Sequence, residues 1–77
     1  MSVEARVIKI LKQNLDVPDN TLVSTAALRS ELGATSVDLV EILADLENEF
    51  NVEITDEQAQ DLRTVGDIVK HVEAQAS

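Results

Sequence analysis

Three times in this chain a threonine is followed, three residues on, by a side chain that can accept a hydrogen bond from the threonine's own backbone N–H: Thr35 with Asp38, Thr55 with Gln58 and Thr64 with Asp67. This is the spacing of a capping box, in which two N–H groups left without partners at a helix start are satisfied reciprocally. Apolar residues follow in helical register each time. A helix is expected from Ser36 to about Phe50, with Leu39, Leu43, Leu46 and Phe50 as its buried stripe. A last helix carries Val65, Ile68, Val69 and Val72 and ends near Gln75, and the stretch from Asp56 to Leu62 makes about two turns anchored by Ile54, Ala59 and Leu62. An earlier helix needs no capping box to be read: Val3, Val7, Ile10, Leu11 and Leu15 share one face from about Ser2 to Leu15, and Pro18 lies just past its end.

Between Asp16 and Ala34 no period holds. A loop that long is uncommon in a compact domain unless it is functional or pinned down. Val23, Leu28 and Leu32 are the expected pins, and Gly33 is free to take a positive φ before the next element. Phe50 is the only aromatic residue, which favours helices over a β-sandwich. The 77 residues suffice for one core. The expected fold is therefore a single all-α domain over residues 1–77: a small four-helix bundle of three main helices and one short one, with a long loop between the first and second helices.

Charge narrows the partners. The formal net charge is −9, and ten of the fifteen acids lie between Arg29 and Arg63, where no basic residue occurs. Nucleic-acid backbones are poor partners for such a surface, because phosphate contacts need clustered Lys and Arg. Basic protein surfaces suit it. With no cysteine there is neither a disulfide nor a thiolate metal site. No apolar run approaches the ~20 residues of a membrane span, and the N-terminus lacks a basic stretch followed by an apolar one. A monomer in the cytoplasm is the expectation, unless a transit peptide has been removed.

Catalysis is tested by counting. One histidine, no cysteine and two isolated glycines supply neither a nucleophilic triad nor a phosphate-cradling loop. No segment has the alternating ligands, central glycine and closing Glu of a calcium-binding EF-hand loop, and His71 reads as a surface residue without ligand partners. No catalytic or metal-binding residue is expected, and the chain is not expected to be an enzyme.

What stands out is Glu31-Leu32-Gly33-Ala34-Thr35-Ser36-Val37-Asp38-Leu39-Val40-Glu41. This segment resembles the attachment motif of acyl carrier proteins, in which Gly-x-Asp-Ser-Leu precedes an acidic amphipathic helix. The resemblance runs through the whole chain, including Leu46-Glu47-Asn48-Glu49-Phe50, Val52-Glu53-Ile54 and the final helix opening Thr64-Val65. It implies that Ser36 carries 4′-phosphopantetheine taken from coenzyme A. It implies further that acyl groups ride on the arm as thioesters, in fatty-acid or related lipid or polyketide synthesis, within a core that opens to admit part of the acyl chain. A physical reason for the serine stands beside the resemblance. A hydroxyl in a first helical turn after an exposed loop is open to a phosphopantetheinyl transferase, and a phosphodiester there is stabilised by roughly 0.3–1 kcal/mol at the positive end of the helix dipole.

The second helix also carries Asp38, Glu41, Asp45 and Glu49 at steps of three, four and four, expected as one solvent-facing stripe. Like charges at i, i+4 oppose stability by a few tenths of a kcal/mol per pair. With no Lys or Arg interleaved, recognition explains the stripe better than solvation does. On that reading, reversing Glu41 and Asp45 to Lys leaves the fold's stability unchanged. In the resembled family the corresponding acidic helix, together with an apolar residue at the position of Val37, meets basic patches on acyl-transferring and synthase enzymes. Three positions depart from the family's pattern: Thr35 where Asp is usual, Val37 where Leu is usual, and Asn48 where an acid is frequent. Thr35 keeps the cap and loses the charge, which leaves open which transferase modifies the chain and which pathway it serves. The rival readings are a carrier of aminoacyl intermediates and an acidic helical adaptor that is never modified.

Overall fold

The computed structural model describes residues 2–76. It has four α-helices, α1 (Val3–Asn14), α2 (Ser36–Phe50), α3 (Asp56–Gln60) and α4 (Val65–Ala76), with a 3₁₀ turn at Asp19–Thr21 inside the long loop. All three threonine signals are realised. Asp38 N–H donates to Thr35 Oγ1 and Thr35 N–H to the Asp38 carboxylate; Gln58 with Thr55 and Asp67 with Thr64 repeat the exchange. Ser2 caps α1 without a reciprocal partner, its hydroxyl accepting from Ala5 N–H. Partial burial raises the Asp67 carboxyl. Hydrogen bonds from Thr64 and the Arg63 N–H, with the charge of Lys70, outweigh this and hold it below its ordinary value of 3.8.

α1 packs against α2 and α4. Val7, Leu11, Ile42, Leu46, Val65, Ile68 and Val72 lie at the centre of an aliphatic core. Here the expected stripe of α2 needs correction, because Leu39, Leu43 and Phe50 are only half-buried while Ile42 is wholly buried. Ile42 sits on the flank of that stripe nearer the acids, and the α1 contact rotates α2 toward it. Burying such a side chain is worth about 1.5–3 kcal/mol. α2 ends where Asn51 takes a left-handed conformation, φ +54°, and sends its N–H to the Glu47 carbonyl. The Glu47 carboxylate then accepts from Ile54 N–H, so one residue catches the departing chain twice. α3 is shorter than the two turns expected to reach Leu62. It tightens at its end, with Leu62 N–H bonding the Ala59 carbonyl, and this drops Leu62 into the core. His71 is half-buried and makes an exposed side-chain hydrogen bond with Gln75.

Two of the three residues expected to pin the long loop do so, and others join them. Leu28 and Leu32 are buried as anticipated, but Val23 is 53% exposed, and Leu22, Ala26 and Ala34 share the anchoring. The 3₁₀ turn before Leu22 aims that side chain inward, and Val23 follows on the opposite side. The middle of the loop is also bonded to the start of α4 through an isolated antiparallel bridge between Ala27 and Thr64. Leu28 N–H donates to the Arg63 carbonyl, Val65 N–H to Ala26, and Gly66 N–H to Ser24 at 2.8 Å. Gly66 is needed for this approach, since a Cβ there would stand 2.9 Å from the Ser24 carbonyl oxygen. Among the described residues no helix is long and apolar enough to cross a membrane.

Candidate functional site

Ser36 is the first residue of α2, and it is exposed. The local chain fixes its position from both sides. Gly33 turns at φ +71°, where an L side chain would be strained, and Ala34 N–H bonds back to the Leu28 carbonyl at 2.8 Å. Thr35 follows in extended conformation and exchanges its two bonds with Asp38, bracketing Ser36 within the reciprocal cap. The hydroxyl is thus presented outward from a rigid backbone, at a helix end whose N–H groups favour an anion.

Arg29 was not anticipated at this site. It stands on a tight turn of the long loop, where the Ala27 carbonyl accepts from both Glu31 and Leu32 N–H and Ala27 N–H is held by the Glu31 carboxylate. From there its Nη2 donates to Ser36 Oγ at 2.7 Å. Seven residues separate the two in sequence, and no helical register relates them, so only the folded turn brings them together.

Beside Ser36, on the outer face of α2, Val37 and Val40 are 67% and 66% exposed. Val40 also borders a groove of 620 Å³ between α2, the long loop and the α3–α4 junction, with Leu28, Leu39, Leu43 and Ile68 deeper in its wall and Arg29 and Arg63 among its lining. Val37, Val40 and this groove make the apolar ground around the serine.

Asp38, Glu41, Asp45 and Glu49 do not form one solvent-facing stripe. Asp38 is half-buried and bound into the cap. Asp45, also half-buried, accepts from the Asn14 side-chain amide at 2.9 Å. Glu49 is clamped by Arg6, with an ion pair of 2.8 Å and a second Arg6 bond to its carbonyl, while the guanidinium lies 4.4 Å from the centre of the Phe50 ring. Only Glu41 is exposed without a hydrogen bond or ion pair to another described residue. The cause is the turn of α2 toward Ile42, which swings Asp45 and Glu49 onto the flank facing α1, where Asn14 and Arg6 meet them. Among the described residues no cluster of three or more His, Cys, Asp or Glu side chains is placed to hold a metal ion.

A small all-helical domain that presents one exposed serine at a capped helix start, next to an apolar groove and acidic surroundings, is built as a carrier. Comparison with known proteins gives the family: the model described as "Phosphopantetheine attachment site" matches residues 5–72. Among solved structures, the acyl carrier protein from Enterococcus faecalis superposes with a TM-score of 0.83 at 29% identity, over 97% of this chain and 99% of that one. The chain belongs to the phosphopantetheine attachment-site family and is of the acyl carrier protein type, a phosphopantetheine-carrier protein. Domains of this kind are generally not catalytic.

Proposed function

We propose that Ser36 is the attachment residue and that the protein carries acyl intermediates as thioesters, without catalysing a reaction of its own. The observation that carries this reading is the exposed Ser36 hydroxyl, set in the first turn of α2 by the Thr35–Asp38 cap and lying within the family match. The surroundings fit a phosphodiester: its negative charge meets the N-terminal end of α2 and no carboxylate hydrogen-bonds to Ser36. In the transfer, Ser36 Oγ forms the new bond to phosphorus, the adenosine bisphosphate half of coenzyme A leaves, and the hydroxyl proton passes to a base on the phosphopantetheinyl transferase. Once attached, the arm supplies the thiol that this cysteine-free chain lacks. Val37 and Glu41 present the apolar and charged parts of the partner surface, with Asp38, Asp45 and Glu49 contributing the remaining negative field toward basic patches of acyl-transferring and synthase enzymes. Fatty-acid or related lipid or polyketide synthesis, in the cytoplasm and as a monomer, is the setting we assign.

Intact-protein mass spectrometry after incubation with coenzyme A and a phosphopantetheinyl transferase tests the assignment. Wild type gains one arm, and Ser36→Ala gains none while keeping its helix content and melting temperature. An arm on the alanine variant moves the site elsewhere. A wild-type protein that never accepts the arm is the adaptor instead.

A further inference from the structure

Arg29 is placed where the general account of the site gives it no task. It is exposed, and no carboxylate among the described residues forms an ion pair with it, although the protein carries fifteen acids. Arg6 and Lys12 each pair with an acid, whereas Lys9, Arg63 and Lys70, like Arg29, form no ion pair among the described residues; what sets Arg29 apart is the side-chain bond it does make. Arg29 spends its guanidinium on a neutral hydroxyl, at 2.7 Å. Two features keep it there. The Ala27–Leu32 turn is closed by two backbone bonds and the Glu31 carboxylate, and the Glu31 carboxylate is thereby occupied. Ala34 N–H then ties the base of α2 to the Leu28 carbonyl, next to Arg29 in the chain. The turn and the serine therefore move as one piece.

We infer that Arg29 is a positioning residue for the arm, clamping the phosphodiester on Ser36 and holding the root of the arm against the loop side of the groove. This rests on the reading of Ser36 as the attachment residue. The chemistry is that of the atoms present. Phosphorus would stand one bond beyond Oγ, and its unesterified oxygens one bond further, within the sweep of a guanidinium that already touches Oγ. The neutral contact then becomes a charge-assisted one, and the planar donor fork of arginine suits two phosphate oxygens better than an ammonium does. Asp38, in the first turn of α2, is bound to the Thr35 N–H, and Thr35 is itself uncharged, so no other residue of the cap competes for the guanidinium. Arg29 and Ser30 both line the groove. An arm held by Arg29 accordingly leaves Ser36 on that side and not over the free face of Glu41.

The experiment uses wild type, Arg29→Gln and Arg29→Lys, each loaded from coenzyme A and checked by intact mass. Phosphorus NMR relaxation reads how firmly the phosphodiester follows the domain, and the Arg29 Nε–H signal reads the guanidinium directly. On loading, the wild-type Arg29 signal should shift. The phosphorus line should narrow severalfold in Arg29→Gln and recover in part in Arg29→Lys, and high salt should narrow the wild-type line toward that of the Gln variant. An Arg29 signal that does not move on loading, with equal phosphorus relaxation in wild type and Arg29→Gln, overturns the clamp and leaves Ser36 as the attachment residue. Failure of wild type to accept an arm, or loading of Ser36→Ala, removes both readings together.

Discussion

Replacing Thr35 separates two tasks that meet at one side chain. In the structure its Oγ1 accepts from Asp38 N–H at 3.1 Å, and its backbone N–H donates to the Asp38 carboxylate at 3.0 Å. Thr35→Ala deletes the first bond and leaves the second. Because the site is exposed, water takes over the freed N–H, so the cost falls in the middle of the range for such caps, about 1 kcal/mol. For a domain this small that is a drop in melting temperature of about 4–8 °C. Thr35→Asp keeps an acceptor in the same place and should remain within about 1 kcal/mol of wild type. It also sets a new carboxylate beside Ser36, within the neighbourhood of Arg29. Thermal unfolding by circular dichroism measures the first effect. The initial rate of arm attachment, by mass spectrometry at matched salt and magnesium, measures the second. If Thr35→Ala melts with wild type, the reciprocal cap contributes nothing and the rigid presentation of Ser36 loses its basis. If Thr35→Asp is modified no faster by a fatty-acid-type transferase, the transferase is already served by threonine.

Two further outcomes follow from the electrostatics. Glu41→Lys should leave the urea midpoint unchanged and weaken salt-sensitive binding to basic partner enzymes, whereas Asp45→Lys loses the Asn14 bond and should cost about 1 kcal/mol in the same denaturation. Equal stability of the two variants would put Asp45 back among free surface acids. Asp67, held below 3.8, contributes stability that is fully present above its ordinary carboxylate value and is lost as pH falls through the lower folded one. Asp67→Asn should therefore differ most from wild type at neutral pH, and the gap between the two urea midpoints should shrink as the pH falls below the ordinary carboxylate value of 3.8; a gap that stays constant on acidification would contradict the assignment.

Those acids show where reading the sequence stops short. Helix starts were legible because a capping box is a local bond, complete within four residues, and Thr35, Thr55 and Thr64 each close one. Gly33 and Ser36 were legible for the same reason, since a positive φ and a first-turn position are properties of a short stretch. Ile42 escaped because periodicity alone does not say which edge of an amphipathic face meets a neighbouring helix. The expectation that reversing both Glu41 and Asp45 leaves stability alone took no account, on the same ground, of the Asn14 bond to Asp45, because Asn14 lies 31 positions away. Arg29 left no local signal either. Its approach to Ser36 depends on a loop conformation set by Leu28, Leu32 and Ala34 reaching the core.

The bonds between the long loop and the start of α4 make residues 24–28 and 63–66 a single stitched plate. That plate forms one side of the groove, and α2 forms the other. Any cargo that widens the groove must then shift the plate as a whole or bend the five-residue α3, whose ends have only short-range backbone bonds to resist it. Compliance is thus concentrated in α3, while the serine, its cap and the turn bearing Arg29 stay on the stiff side of the molecule.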